Sequence, residues 1–292
     1  MKIRWLAPLL TLVISNLSAA ELKLPPGMVL ENNAIADKAV KIVLIAGSNT
    51  FKPGEHDYLA NCAVLSKLLA QNPGVAPVFA VDWPTNPETF ANAKAVVFFF
   101  DGGDKHGVLK GKRAEEVQKL VDAGVGFVQF HQAADYPTDF GVRARSWAGG
   151  CWEKGLSSRA HWVDEFKNFP THPVTRGVAP FKIDDGWLYK LHFNDGMKGI
   201  TPLLRTPDPK AKSKPIDNDS TVSWAYDREG GGRSFTFTGG HLHASFEQPG
   251  YCKFLVNGIL WAAGQEIPDD GAKAAIDSKE INRFLTPKPA KK

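Results

Sequence analysis

Histidines follow several apolar segments of this sequence at the points where those segments end. Five of the eight histidines are placed in this way: His56, His106, His131, His241 and His243. Short uninterrupted apolar runs are typical of strands that are buried on both faces of a parallel sheet. Because parallel strands end at a shared edge, where ligands bind in α/β folds, we expect these imidazoles to share one site.

Four of these histidines have spacings that suit metal ligands. His241 and His243 lie two residues apart, so an extended chain would point both imidazoles to the same side. His131 directly follows a buried strand and would be held rigidly, and His56 follows the first strand. A site of about three imidazoles and a carboxylate, with one position left to water, suits zinc or a similar divalent ion. Without a metal the same histidines would act as acid and base, and both forms stay open.

Charged side chains beside the histidines complete the candidate site. Glu55 and Asp57 flank His56, where they would ligate a metal, orient the imidazole or act as the general base. His131 joins them as a candidate catalytic residue. The candidate substrate contacts are Asp101, His106 and Arg233.

The sequence argues against two other kinds of site. A nucleophile elbow needs Gly-x-Ser/Cys-x-Gly after a buried strand, and His131 stands where its nucleophile would be, so acyl-enzyme chemistry is not expected. Gly230-Gly-Gly232 lacks the Lys-Ser/Thr of a phosphate-binding loop, and no nucleotide cofactor is predicted. The tryptophans would stack on sugar rings or, more simply, fill the core.

Strands alternate with helices along the first half of the chain, which predicts βαβ units and a mostly parallel sheet. Residues 132–231 are irregular and predict insertions that decorate one edge of the sheet. The predicted strands are 41–46, 75–81, 95–100, 125–130 and 232–238, and the predicted helices are 57–70, 112–123 and 251–263.

The two ends of the chain differ from its body. Residues 1–20 have a basic start, a short apolar run and Ser18-Ala-Ala20, which predicts a cleaved export signal and a periplasmic or extracellular protein. The apolar run is too short to span a membrane. Residues 21–39 are predicted to be an extended lead-in, and 265–292 a loosely held basic tail. A weakly acidic body between basic ends is a poor nucleic-acid binder. Three cysteines, Cys62, Cys151 and Cys252, permit one disulfide whose pairing stays open.

Several motifs together resemble the ThuA-like (trehalose utilisation) family, a branch of the class I glutamine amidotransferase-like superfamily. The resemblance covers residues 40–264. It implies a flavodoxin-like three-layer sandwich, loss of the amidotransferase cysteine, and a role in sugar metabolism that includes oxidised (3-keto) glycosides. The motifs are Gly54-Glu-His-Asp-Tyr58, Val97-Phe-Phe-Phe-Asp-Gly-Gly103, Ala123-Gly-Val-Gly-Phe-Val-Gln-Phe-His131, His172-Pro-Val-Thr-Arg-Gly-Val178, Gly232-Arg-Ser-Phe-Thr-Phe-Thr-Gly-Gly-His241 and Asn257-Gly-Ile-Leu-Trp-Ala-Ala263.

Two functions follow as hypotheses. The first is an exported enzyme that performs metal-assisted or acid–base hydrolysis, elimination or isomerisation of a glycoside or keto-sugar. A carbonyl beside the glycosidic carbon acidifies the neighbouring C–H, which would ease such reactions. The second is a carbohydrate-binding protein that uses the same edge without turnover. The expected partner in both is a small saccharide.

Overall fold

The structure is a computed structural model that describes residues 24–48, 51–212 and 218–285. Within these ranges the chain forms twelve strands and five α-helices, with short 3-10 turns between them. The strands are β1 (Val40–Ala46), β2 (Val75–Val81), β3 (Ala95–Phe99), β4 (Gly126–Phe130), β5 (Asp135–Tyr136), β6 (Gly150–Glu153), β7 (Ser158–Phe166), β8 (Phe181–Tyr189), β9 (His192–Phe193), β10 (Ile200–Arg205), β11 (Thr221–Asp227) and β12 (Arg233–Phe237). The helices are α1 (Tyr58–Leu69), α2 (Arg113–Asp122), α3 (Gly141–Ala148), α4 (Pro249–Ala262) and α5 (Ser278–Arg283).

A seven-stranded sheet forms the centre, in the order β10-β11-β12-β4-β3-β1-β2. The five strands from β12 to β2 are parallel to one another. Strand β11 pairs antiparallel with β12, and β10 pairs antiparallel with β11. The chain leaves β1 to form β2 on one side and then returns to form β3 on the other. This reversal opens a crevice beyond the carboxyl ends of β1 and β3, which is where ligands bind in open α/β sheets. The predicted α/β architecture with a mostly parallel sheet is confirmed.

Helices cover both faces of the sheet and make three layers. Successive side chains of β1 alternate between the faces, as the period of a strand requires. Ile42 and Leu44 pack in the cluster that contains α1 and α4, and Val43 and Ile45 pack in the cluster that contains α2 and α3. Both faces of the sheet are buried, which explains why strands such as β1 and β3 are largely continuous apolar runs rather than alternating apolar and polar residues.

The middle of the chain differs in part from the prediction. Residues 132–231 do not only decorate an edge, because β10 and β11 extend the central sheet itself. The long antiparallel pair β7–β8 forms a separate hairpin, and β5, β6 and β9 form a small third sheet. The tryptophans of this region are core residues, since Trp147, Trp187 and Trp224 are fully buried. All three cysteines are buried free thiols.

The ends of the described chain pack more closely than expected. Residues 265–285 are not loosely held, because Ile267, Ala272, Ile281 and Phe284 are buried against the core. The predicted export signal and the last seven residues lie outside the described residues. No helix in the described part of the chain is long and apolar enough to cross a bilayer.

Candidate functional site

Three of the predicted histidines meet at the carboxyl edge of the sheet. His56 lies in the loop after β1, His131 directly follows β4, and His241 follows β12. One ring nitrogen from each lies within 4.8 Å of the other two. His56 and His131 have φ angles of +47° and +52°. This left-handed conformation is uncommon for residues other than glycine and is tolerated better by histidine than by most, so tight turns aim both rings inward.

The hydrogen bonds of His131 define which of its nitrogens faces the cluster. Its Nδ1 lies 3.0 Å from the carbonyl oxygen of Thr238, which only accepts, so Nδ1 carries the proton and donates it. The neutral ring therefore presents the lone pair of Nε2 to the cluster. Burial, then the neighbouring His56, hold the pKa of His131 well below its ordinary value, which favours the neutral ring.

His56 presents a second lone pair to the same point. The Tyr58 hydroxyl donates its one proton to Asp101 Oδ1 at 2.6 Å. The Nδ1 of His56 lies 3.0 Å from the Tyr58 oxygen and 3.4 Å from Asp101 Oδ1, and it is left as the donor. In the neutral ring the Nε2 of His56 then carries a lone pair, and it lies 3.0 Å from the Nε2 of His131.

Two facing lone pairs repel each other unless a cation lies between them. A shared proton satisfies this requirement, and so does a metal ion. Nitrogen ligands about 2.0–2.1 Å from a tetrahedral zinc ion lie roughly 3.3 Å apart, which is close to the separation of these two atoms. The separation of the two nitrogens is therefore compatible with a shared proton or with a metal ion.

His241 forms the open side of the cluster. Its ring centre lies 4.6 Å from that of His56, and the residue is only partly buried. Burial, and then the neighbouring His56, lower the pKa of His241 to about 4. At neutral pH the ring is uncharged and can act as a ligand or a base.

Asp185 holds His241 in place, and sequence reasoning missed it. The side chain is fully buried on β8, and it accepts hydrogen bonds from the backbone N–H groups of Gly186, Gly240 and His241, each at 2.8 Å. Burial raises the pKa of Asp185 to about 7, although these three donors act against the rise. No sequence signal pointed to this residue, because it reaches the site from a hairpin far along the chain.

The mouth of the site, meaning its solvent-facing side next to His241, contains residues that the sequence analysis left out. His161 lies 5.6 Å from His241 between ring centres, and its Nε2 is 2.8 Å from Asp184 Oδ1. Phe51 is 53% exposed, and its ring centre lies 4.0 Å from that of His56. Tyr58 was also not predicted as a site residue. Its place in the motif Gly54-Glu-His-Asp-Tyr58, two residues after His56, was the sequence feature that could have indicated it.

The predicted carboxylates have different roles. Glu55 lies at the mouth and forms an ion pair with Lys52 at 2.9 Å, which lowers the pKa of Glu55 and keeps it ionised at neutral pH. Asp57 is fully buried and caps α1 by accepting from the backbone N–H groups of Ala60 and Gly54. The donors that it contacts here are main-chain groups of α1 and of the loop before it.

Three other predicted site residues do not reach the cluster. The expected common side for His241 and His243 is wrong, because the extended chain ends at Leu242 and a 3-10 turn begins at His243. The Nδ1 of His243 lies 2.7 Å from Asn61 Oδ1, and its Nε2 lies 3.0 Å from the Ile281 carbonyl oxygen.

His106 and Arg233 are also structural in this fold. His106 is buried, donates to the Ala133 carbonyl and accepts from the backbone N–H of Val108, and burial lowers its pKa to about 4. Arg233 begins β12 and so lies at the opposite edge of the sheet, where its guanidinium stands over the Trp261 ring at 4.9 Å.

Comparisons with known proteins agree with this architecture. Residues 43–262 match the sequence profile of the family described as ThuA, trehalose utilisation. A crystal structure of a ThuA-like protein from Parabacteroides merdae has 17% identity and a TM-score of 0.56, over 84% of this chain and 99% of that one. One from Bacteroides uniformis has 15% identity and a TM-score of 0.53, over 82% and 96%. At these identities the likeness concerns the fold. No curated protein matches the chain.

Proposed function

The chain belongs to the ThuA (trehalose utilisation) family, and on that premise we propose that it is an exported enzyme that hydrolyses, eliminates from or isomerises a glycoside or keto-sugar with the help of a divalent metal ion. The observation that carries the proposal is the pair of Nε2 atoms of His56 and His131, which face each other at 3.0 Å. The third ligand is His241. Three imidazoles with a fourth position open to solvent are a ligand set that suits catalytic zinc.

The surrounding residues support a reactive rather than a purely structural metal site. A bound ion would lower the pKa of a water molecule or polarise a sugar carbonyl. His131 is buried and hydrogen-bonded to the Thr238 carbonyl, and His56 is oriented by its contacts with Tyr58 and Asp101. The orientations of these two rings are therefore fixed. Such outer hydrogen bonds fix ring orientation and strengthen the ligand.

Proton transfer falls to the residues at the mouth. Glu55 is ionised at neutral pH and lies beside His241, where it would accept a proton from a substrate hydroxyl or C–H group. If the cation shared by His56 and His131 is a proton, the same residues form an acid–base cluster. The substrate would then be activated by hydrogen bonds alone.

A specific observation also favours the second candidate, a carbohydrate-binding protein without turnover. The exposed ring of Phe51 lies against His56 at the mouth. An aromatic face at the entrance to a polar pocket is suited to stacking on the apolar face of a sugar ring. The two candidates share the site and differ in whether the bound saccharide reacts.

Metal analysis of the intact protein tests the proposed metal site. His56→Asn and His131→Asn shorten each ligand while keeping a residue that tolerates positive φ. The control is His172→Asn, because His172 caps a 3-10 turn with its Nδ1 and asparagine is also a good cap. We expect about one zinc ion per chain in the wild type and the control. We expect zinc affinity to fall at least about 100-fold in each of the other variants.

Three outcomes would contradict parts of this proposal. If the wild type binds no zinc, cobalt or manganese at micromolar concentration, the metal site is wrong. If the His131→Asn variant remains folded and turns over glycosides or 3-keto-glycosides at the wild-type rate, the catalytic site is wrong. Glycoside binding by the wild type with no turnover, with or without added metal, would establish the binding protein instead.

A further inference from the structure

A second cavity lies beside the histidine cluster at the crevice between β1 and β3. Its volume is about 220 Å³. Its walls come from the ends of β1, β2 and β3 and from the segment between β3 and α2. This is the position where the reversal of strand order leaves a binding crevice in open α/β sheets.

Three cations converge on this cavity, namely Lys105, Lys110 and Arg113. The guanidinium of Arg113 is anchored, because it donates to the Gly107 carbonyl at 3.1 Å and stands 4.8 Å over the Trp83 ring. Both lysines are exposed, and neither forms an ion pair with another residue in the part of the chain that the structure describes. The two ammonium groups are therefore available to a ligand.

The two carboxylates in the cavity wall are already engaged. Asp82 accepts from the Ser48 backbone N–H at 3.1 Å and from the Ser48 hydroxyl, whose single proton is shared by the two carboxylate oxygens at 3.0 and 2.9 Å. Asp101 accepts from Tyr58 and contacts His56. The lining carries three cations and two carboxylates, so its net formal charge is positive, and all three cations lie between the end of β3 and the first turn of α2.

Asp101 joins this cavity to the histidine cluster. It lines the cavity and lies 3.4 Å from the Nδ1 of His56. The cavity and the cluster are therefore neighbours that share the Asp101 side chain. Neutral glycosides would leave the two lysines without a partner, whereas a negative group would pair with them.

We propose that this cavity binds an anionic oxygen group of the substrate, so that the saccharide handled by the site is acidic and carries a carboxylate or a phosphate. The saccharide part of this inference rests on the proposed function. The anion site itself rests on the cavity and its three cations. Lys105 and Lys110 would form charge-assisted hydrogen bonds with the anion, and Arg113 would add fixed positive charge.

Binding to protein stripped of metal separates this inference from the metal site. Isothermal titration at constant ionic strength compares glucuronate, glucose 6-phosphate and neutral glucose. We expect one or both acidic sugars to bind at least about tenfold more tightly than glucose. Preference for glucuronate would assign a carboxylate, and preference for glucose 6-phosphate would assign a phosphate.

A pair of matched variants locates the binding. Lys105→Gln/Lys110→Gln removes the two available cations from the cavity, and we expect it to weaken binding of the preferred acidic sugar by about tenfold or more. Lys112→Gln/Lys119→Gln makes the same change in net charge at exposed positions that do not line the cavity, and it should leave binding unchanged.

Three results would overturn the inference. They are equal binding of glucose and both acidic sugars, no binding of either acidic sugar at 10 mM (roughly −3 kcal/mol), and equal weakening by the two double variants. None of these depends on a metal. A failure of the proposed metal chemistry would appear instead as a missing ion or missing turnover, with the preference for acidic sugars intact.

Discussion

Two buried tyrosines allow a matched test of how the site is held. The Tyr58 hydroxyl donates to Asp101 at 2.6 Å and accepts from His56, whereas the Tyr251 hydroxyl is buried with no hydrogen-bond partner among the described residues. Both rings are fully buried, so replacement by phenylalanine removes one oxygen and leaves the packing in place. The two substitutions thus isolate the hydrogen bonds.

The expected magnitudes follow from these contacts. Burial and Asp101 raise the pKa of Tyr58 well above its ordinary value, so its hydroxyl keeps its proton and donates throughout the neutral range. Loss of a hydrogen bond to a charged partner costs about 1.5–3 kcal/mol, so Tyr58→Phe should lower the free energy of unfolding by about 2 kcal/mol. Tyr251→Phe removes an unsatisfied buried hydroxyl and should be neutral or stabilising by about 1 kcal/mol.

Metal affinity should separate the two variants as well. Without the Tyr58 hydroxyl, His56 keeps only the longer contact with Asp101, and loss of such a partner typically lowers metal affinity 10–100-fold. Tyr251→Phe should leave zinc affinity unchanged. The assays are urea unfolding at pH 7.5 with a chelator, and competition for zinc with a coloured chelator. The reasoning is refuted if both variants match the wild type in stability and in zinc affinity.

Further predictions concern residues outside the cluster. Because burial lowers the pKa of His106 from 6.5 to about 4, the unfolded chain binds more protons in that range, and the fold should lose about 3 kcal/mol between pH 6.5 and pH 4. Urea unfolding of His106→Gln should show the loss of stability over this range reduced by about 3 kcal/mol, and an unchanged loss would contradict the assignment. His243→Ala should cost about 2–4 kcal/mol in the same assay with zinc affinity intact, since the residue is buried outside the cluster. Ellman's reagent should react with no thiol in the native protein and with three after unfolding, because Cys62, Cys151 and Cys252 are free and buried, whereas a disulfide would leave one.

The backbone at two histidines of the cluster is held in an uncommon conformation by the surrounding structure. His56 and His131 both adopt positive φ, and unusual backbone of this kind persists only where surrounding structure enforces it. At His131 this conformation is held by the buried end of β4 and by the hydrogen bond from Nδ1 to the Thr238 carbonyl. At His56 the backbone N–H donates to the His241 carbonyl at 2.9 Å, which ties two of the three rings together through the main chain.

Much of the architecture could be predicted from the sequence. Apolar runs predicted β1 to β4 to within one or two residues, because strands buried on both faces are mostly apolar, and Ser234-Phe-Thr-Phe-Thr238 predicted β12 equally well. The predicted helices 57–70, 112–123 and 251–263 match α1, α2 and α4 to within two residues. From the strand ends alone, His56, His131 and His241 were expected at one edge, and the structure brings them together.

Other parts of the site depended on contacts between distant segments. A spacing of two residues could not reveal that the chain turns at His243, since the turn follows from pairing of Leu242 with Glu55. Arg233 begins a five-residue strand, so its side chain lies at the other edge, about 13 Å from the carboxyl end at 3.3 Å per residue.

Local periodicity and the burial of apolar side chains were sufficient to place β1 to β4 and β12 and the residue at which each of these strands ends. Which side chains meet beyond those ends was fixed by the packing of the folded chain. Asp185 reaches His241 from the β7–β8 hairpin, and Lys105 and Lys110 reach the cavity beside Asp101 from the segment before α2. Such meetings depend on how elements far apart in the chain pack against each other, and no local pattern encodes that packing.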